Sequence, residues 1–338
     1  LLFSAVLAAN FWSLGKDLPA VSGHLPLCKK QQYGAMSMNV MNGKRKATLI
    51  GAIAVILWAL LALFTTELAS IPPFQLVSLC FAIATLFGAA WISLRGGSVL
   101  GALRQPLGAW LLGVAGLFGY HFFYFVALAN APAVEASLIA YLWPLFIVLF
   151  SAFLPGERLK WQHVGGAVLG LTGAVLLIGK GQGVSFDPAF AAGYGAAIIC
   201  SLLWSGYSVL NRRYRNVPVG AVCGFCAGAS LLGFGTHVIL EAWVQPDATQ
   251  WLAILGLGLG PVGAAFFVWD HGTKHGDIQV LGVAAYGAPL LSTCLLIAFG
   301  KALATPATIA GCLLIVGGAV LASLNFRLWK YRQSGSSR

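Results

Sequence analysis

From residue 47 to residue 326 the chain reads as long apolar runs separated by short polar breaks, at about 47–66, 74–94, 107–128, 132–153, 161–179, 189–210, 218–240, 250–269, 279–299 and 305–326. A hydrocarbon core about 30 Å thick is crossed by roughly 20 helical residues, so each run predicts one membrane-spanning helix. The links are short, as in a bundle whose consecutive helices are neighbours, and leave no room for a soluble domain. A receptor with a signalling module and a membrane-anchored enzyme are both disfavoured.

The pattern repeats. An offset of 145 residues carries Phe122 to Phe267, Ala140 to Ala285, Tyr141 to Tyr286, Pro144 to Pro289, Leu145 to Leu290 and Gly166 to Gly311, and the run Gly173-Ala174-Val175-Leu176 to Gly318-Ala319-Val320-Leu321. Two repeats are expected, 47–182 and 183–326, each with five spans. Because five is odd, the second copy enters the membrane from the side opposite to the first. That inverted-repeat plan belongs to secondary transporters.

Composition agrees with a membrane protein: 59% apolar, 9% charged, mean hydropathy +0.85. The net charge of +11 does not indicate a nucleic-acid partner, because Lys and Arg sit in short clusters between apolar runs and form no continuous basic face. They report orientation instead. Lys44, Arg45, Lys46, Arg95, Arg104, Arg158, Lys160, Arg212, Arg213, Arg215, Lys274, Arg327, Lys330, Arg332 and Arg338 fall on one side, against Lys180 and Lys301 on the other. The positive-inside rule makes that side, and both termini, cytoplasmic. Residues 1–46 read as a mobile cytoplasmic tail or an upstream extension, since the apolar stretch Leu1–Leu14 is too short to span and lacks the basic region of a signal peptide; residues 327–338 form a cytoplasmic C-terminal tail. Most cysteines lie inside apolar runs and read as free, packed thiols, Cys223-x-x-Cys226 included.

Polar groups inside a bilayer are costly and rare, so those within spans are the first functional candidates. The third span carries Tyr120, His121 and Tyr124, with the tyrosines one turn apart on one face. Such a face stacks on an aromatic ligand, although an interfacial aromatic belt accounts for it too. In the fourth span Pro144 follows Tyr141-Leu142-Trp143 and is expected to kink the helix and free the carbonyl of Ala140; its repeat mate Pro289 does the same to Ala285. Paired kinks in inverted halves suit a gated midplane site. The sixth span presents Trp204, Tyr207 and Asn211 on one face beside Ser201, Ser205 and Ser208, and Trp58 is the approximate mate of Trp204. His121, Asp270 and Glu135 are the candidates for proton coupling; Asp270 is otherwise read as part of a solvated boundary loop with His271, Lys274 and His275, and Glu135 as an acidic group at a helix N-terminus. Nucleotide-binding loops and the His-Glu-x-x-His motif are absent. No catalytic residue, metal or cofactor is implied, and energy is expected from a gradient.

The stretch from Ala127 to Leu177, with Ala-Pro-Ala-Val-Glu-Ala-Ser (131–137), Tyr-Leu-Trp-Pro-Leu-Phe (141–146), Gly-Glu-Arg-Leu (156–159) and a glycine-rich fifth span, resembles the ten-helix drug/metabolite transporter superfamily of EamA type. Lys46-Ala47-Thr48-Leu49-Ile50-Gly51, Tyr-Leu-Trp-Pro and His275-Gly276 further resemble its YddG-type bacterial aromatic amino acid exporters, over about residues 44–330. The resemblance implies an all-α inner-membrane exporter of phenylalanine, tryptophan and tyrosine, with a central cavity at Tyr120, His121, Tyr124, Tyr141, Trp143, Pro144 and Trp204. The alternative it carries is a broad exporter of hydrophobic cations such as methyl viologen. Small multidrug relatives use an acidic residue in the first helix, and residues 47–66 contain none; uniport and coupling through His121 both stay open. The partners expected are the small-molecule substrate and the lipid bilayer. A monomer is expected, with the glycine-rich faces of the fifth and tenth spans able to pack within it or between two copies.

Overall fold

The computed structural model describes residues 27–179, 186–300 and 303–323, all of them in helices or short links, with no strand among them. Among the described residues ten helical stretches are long and apolar enough to cross a bilayer: α1 (Asn42–Thr65), α2 (Pro73–Leu94), α3 (Leu107–Asn130), α4 (Ala133–Phe153), α5 (Trp161–Ile178), α6 (Pro188–Tyr214), α7 (Val219–Leu240), α8 (Ala248–His275), α9 (Ile278–Ala298) and α10 (Pro306–Ser323). Each matches an expected run. At the C-terminal ends the largest differences are at α6 and α8, which run on through Tyr214 and His275 and bury Asn211, Arg212, Asp270 and Lys274.

Two compact units are distinguished, Leu1–Asn42 and Gly43–Arg338. Within the N-terminal segment the described residues are helical from Leu27. Strong helix formers explain this, since Leu27–Lys46 is rich in Lys, Gln and Met and contains no proline. Residues 1–26, the C-terminal tail 327–338, Lys180 and Lys301 lie outside the described residues.

The two repeats are held together by pairs of close helix crossings related by the repeat offset. In the α5–α10 pair a Cβ on Gly166 would lie 2.6 Å from the Gly318 carbonyl oxygen, and one on Gly173 2.6 Å from that of Gly311. These are equivalent contacts, because Gly166 and Gly173 are the mates of Gly311 and Gly318. In the α2–α7 pair, Gly88 meets Cys223 and Gly233 meets Ser78, again mates of one another. Lipid tails are as apolar as leucine, so membrane helices associate through close van der Waals contact, which small residues permit. Gly166, Gly173, Gly311 and Gly318 of the glycine-rich fifth and tenth spans therefore pack against one another within the chain. Cys223 is part of such a crossing, with its Sγ 3.3 Å from the carbonyl oxygen of Thr85.

Two further features recur in both halves. Regular α-helix stops at Ala140 and resumes at Trp143 in α4, and stops at Ala284 and resumes at Gly287 in α9, so Pro144 and Pro289 follow breaks and not mere bends. In α3 and α8 a π-helical turn occupies Ala115–Gly119 and Gly260–Ala264, positions 145 residues apart. A π turn shifts the hydrogen-bond ladder and frees a main-chain carbonyl, a device common at functional sites.

Candidate functional site

Two tryptophans from each repeat meet. Trp58 of α1 has its ring centroid 5.0 Å from Trp269 of α8, 5.8 Å from Trp204 of α6 and 5.9 Å from Trp143 of α4. Trp143 lies 6.2 Å from Trp204 and 5.9 Å from Trp269, and Trp204 lies 6.4 Å from Trp269. All pairs thus fall within the range of aromatic contact. Trp143, Trp204 and Trp269 are buried. The freed carbonyls of the π turns serve this cluster from both sides: Trp58 Nε1 donates to the Pro261 carbonyl at 3.1 Å, and His121 Nδ1 to the Leu117 carbonyl at 2.7 Å. A carbonyl only accepts, so Nδ1 carries the hydrogen and Nε2 of a neutral ring is left as an acceptor.

Around the tryptophans lies a second set of rings. Tyr120 sits 5.7 Å from Trp204, 5.3 Å from His121 and stacks on Tyr124 at 6.0 Å. His121 meets Phe81 edge-on at 5.2 Å, and Phe81 stacks on Phe266 at 5.7 Å. Tyr141 lies 6.4 Å from Trp143, Tyr207 lies 5.3 Å from Trp204, and the Tyr124 hydroxyl shares a hydrogen bond of 3.1 Å with Ser137. The mate of Tyr141 does not join: Tyr286 is fully buried against Gly170, whose own mate is the bulkier Ile315.

Directly beneath the tryptophans, toward the basic end, the surroundings become ionic. Trp269 Nε1 donates to Ser208 Oγ at 3.0 Å. Asp270, 0% exposed, pairs with Lys274, 1% exposed, at 2.9 Å. Asn211 Nδ2 donates to Asp270 Oδ1 at 2.8 Å, and Lys274 Nζ also reaches the Val217 carbonyl at 3.1 Å. The next layer is built on Arg212, buried at the end of α6, which donates through Nε to the Thr273 carbonyl at 2.8 Å and through its two terminal nitrogens to Glu157 and the Gly276 carbonyl. Glu157 is aimed there by Gly156, whose φ of +80° makes the turn out of α4. Lys44 of α1 closes the layer, 3.0 Å from Asp277 and 3.7 Å from Glu157. Burial raises the pKa of the Asp277 carboxyl, but Lys44 and the Val280 N–H outweigh that and hold it below the usual carboxylate range.

The profile of the EamA-like transporter family matches residues 45–179 and 191–324, one match per repeat. The chain belongs to this family. Among its relatives, this EamA-like transporter is 50% identical over 282 residues to the aromatic amino acid exporter YddG of Ancylobacter novellus, covering 83% of this chain and 98% of that one. It is 27% identical to the exporter of the same name from Escherichia coli K12, covering 84% and 99%. A solved crystal structure at 51% identity superposes with a TM-score of 0.80 over 82% of this chain and 96% of the other.

Of the residues singled out in the transporter's sequence, Tyr120, His121, Tyr124, Tyr141, Trp143, Trp204 and Tyr207 are brought together, with Pro144 one residue past Trp143. The three coupling candidates are not. His121 is among the rings, Glu135 is in the first turn of α4, and Asp270 is locked to Lys274. The solvated loop expected around Asp270 is incorrect, because α8 continues to His275 and buries the carboxylate. Trp269 and Phe266 were missed, and the repeat offset marks both: they are the mates of Tyr124 and His121.

Proposed function

We propose that this protein exports aromatic amino acids from the cytoplasm by alternating access, with the substrate ring held among Trp58, Trp143, Trp204, Trp269, Tyr120 and Tyr124. The observation that carries this reading is the meeting of two tryptophans from each inverted repeat, since rings contributed by both halves separate when the halves rock. The name carried by the relative at 50% identity supports the substrate class. Tyr207, Tyr141 and His121 complete the site, and the indole N–H groups of Trp143 and Trp204, unlike those of Trp58 and Trp269, are free to meet the polar end of a ligand. We read the basic end as cytoplasmic by the positive-inside rule, with both termini on that side, and ten apolar helices suit the inner membrane. The Pro144 and Pro289 breaks are the gating elements.

Labelled phenylalanine and tryptophan loaded into proteoliposomes are expected to leave by a saturable route. Movement of methyl viologen without either amino acid would replace this reading with that of a cation exporter, and Glu135→Gln would then be the decisive variant. An imposed pH gradient separates uniport from proton coupling through His121. Trp204→Ala or Trp143→Ala removes ring contacts worth about 1 kcal/mol, so apparent affinity should fall several-fold. Pro144→Ala, which favours continuous helix across the α4 break, should lower turnover with affinity retained. Wild-type kinetics in all three variants would remove the site from this place.

A further inference from the structure

The repeat offset relates the start of α2 to the start of α7. Phe74 and Gln75, in the first turn of α2, are the mates of Val219 and Gly220 in the first turn of α7. The first turn of a helix leaves its N–H groups without intrahelical partners and carries the positive end of the helix dipole, so it attracts an anion. At α2 the chain supplies that anion itself. Glu241 accepts from the backbone N–H of Phe74 through Oε1 and from that of Gln75 through Oε2, both at 3.0 Å, and His237 Nδ1 lies 2.8 Å from the same carboxylate.

At α7 the arrangement changes. The mate of Glu241 is Gly96, whose φ of +72° turns the chain back at the end of α2 and which brings no side chain. The N–H groups of Val219 and Gly220 have no hydrogen-bond partner among the described residues. They border a cleft of about 360 Å³ whose walls include Trp91, Ile92, Arg95, Ser98, Val219 and Gly220, a volume within the range of sites that take small ligands. Arg95 brings a cation to it. Its guanidinium carbon lies 4.6 Å from the centroid of the Trp91 ring, so the planar face rests on the indole and the N–H edge is left to donate. Arg95 takes part in none of the ion pairs among the described residues, and its mate is Leu240. Compared with the equivalent place at the other end, this cleft has lost a carboxylate and gained a guanidinium. The ligand that such a site fits is an oxyanion.

The surroundings indicate where the oxyanion comes from. Leu94 is 88% exposed and Leu100 70% exposed on either side of Arg95. Apolar side chains left open at the end of a membrane-spanning helix face lipid, and Trp and Arg beside them sit at headgroup level. The oxyanion at that depth is a phospholipid phosphate. A headgroup with net negative charge suits the unpaired Arg95 and the nearby Arg104, whereas choline would bring a second cation. We infer that the cleft between the end of α2, the 95–106 link and the start of α7 binds an acidic phospholipid, whose phosphate takes the place that the Glu241 carboxylate has in the other half. Its walls come from both repeats, so the bound lipid braces the α2–α7 crossing at the basic end. The inference does not depend on what the carrier transports.

Native mass spectrometry of the purified full chain in detergent, titrated with phosphatidylglycerol, phosphatidylcholine or inorganic phosphate, tests the site. One phosphatidylglycerol should be retained about tenfold more tightly than phosphatidylcholine, and inorganic phosphate at the same concentration should not displace it. R95Q should weaken phosphatidylglycerol binding about tenfold or more, and R95K less. S98D keeps an acceptor for the Gly101 N–H and adds a negative charge at the cleft, so it should weaken binding too. R158Q removes an equally exposed cation of the same end that does not line the cleft, and should leave the retained lipid unchanged. Arg95 and Ser98 are both exposed, and thermal unfolding without added lipid should match that of the unsubstituted chain in either variant; should one of them not fold, the other decides. Phosphatidylcholine held as tightly as phosphatidylglycerol, equal losses in R95Q and R158Q, or displacement of the lipid by inorganic phosphate would overturn the site.

Discussion

Lys274→Met is expected to destabilise the protein by about 3–5 kcal/mol, the usual cost of breaking a buried pair by removing one partner. The reason is the position of Asp270. With Lys274 gone, a carboxylate with no exposed surface loses its cationic partner and keeps Asn211 as a donor, beside Tyr207, Trp269 and Thr273. The Val217 carbonyl loses its donor in the same substitution. Replacing both members with apolar residues, as in Asp270→Leu/Lys274→Met, should recover most of the loss, because the desolvation cost of the pair disappears with it. Lys44→Gln provides the contrast: Lys44 is 41% exposed and Asp277 30%, so that pair should contribute no more than about 1 kcal/mol. Thermal unfolding of the purified variants in detergent, followed by tryptophan fluorescence, orders the three. If Lys274→Met unfolded together with Lys44→Gln, the Asp270–Lys274 pair would have to be solvated.

The same pair shows where sequence reasoning reaches and where it stops. Ten spans and their duplication follow from run length and a fixed offset, both properties of the chain alone. Tyr120, His121, Tyr124 and Tyr207 stood out because polar groups inside apolar spans are rare, and the offset points even to Trp269 and Phe266 once Tyr124 and His121 are singled out. Charge was the harder signal. Arg212 and Lys274 count correctly as markers of one membrane side, yet both are buried, and nothing in their spacing says that Glu157 from a distant link and Asp270 from the preceding turn neutralise them. The helical start at Leu27 was hidden by polar composition, which lowers hydropathy without lowering helix propensity. Glycine on a helix face is legible as a packing surface, but the surface it meets is a tertiary fact.

That tertiary fact yields the second large effect. Gly173→Leu should abolish the folded protein, read as loss of the monodisperse species after purification, and Gly173→Ala should cost about 1–3 kcal/mol. The obstruction begins at Cβ, which would sit 2.6 Å from the Gly311 carbonyl oxygen and 2.7 Å from Ile315 Cγ1. A backbone oxygen cannot turn aside as a side chain does, so α5 and α10 must separate and forfeit the dispersion contacts that hold them in lipid. Symmetry sharpens the expectation. Gly318, the mate of Gly173, would place its Cβ 2.5 Å from the Gly166 carbonyl oxygen, so Gly318→Ala should lose about as much as Gly173→Ala. Gly317, one position away, has open space around its Cβ, and Gly317→Ala should be neutral or stabilising by up to about 1 kcal/mol through helix propensity. Equal stability of Gly173→Ala, Gly318→Ala and Gly317→Ala would mean that the α5–α10 crossing is looser than the structure has it. A loss at Gly173 and Gly318 alone would establish that the two repeats meet here as equivalent surfaces, the symmetry that an alternating-access carrier needs to rock one half against the other.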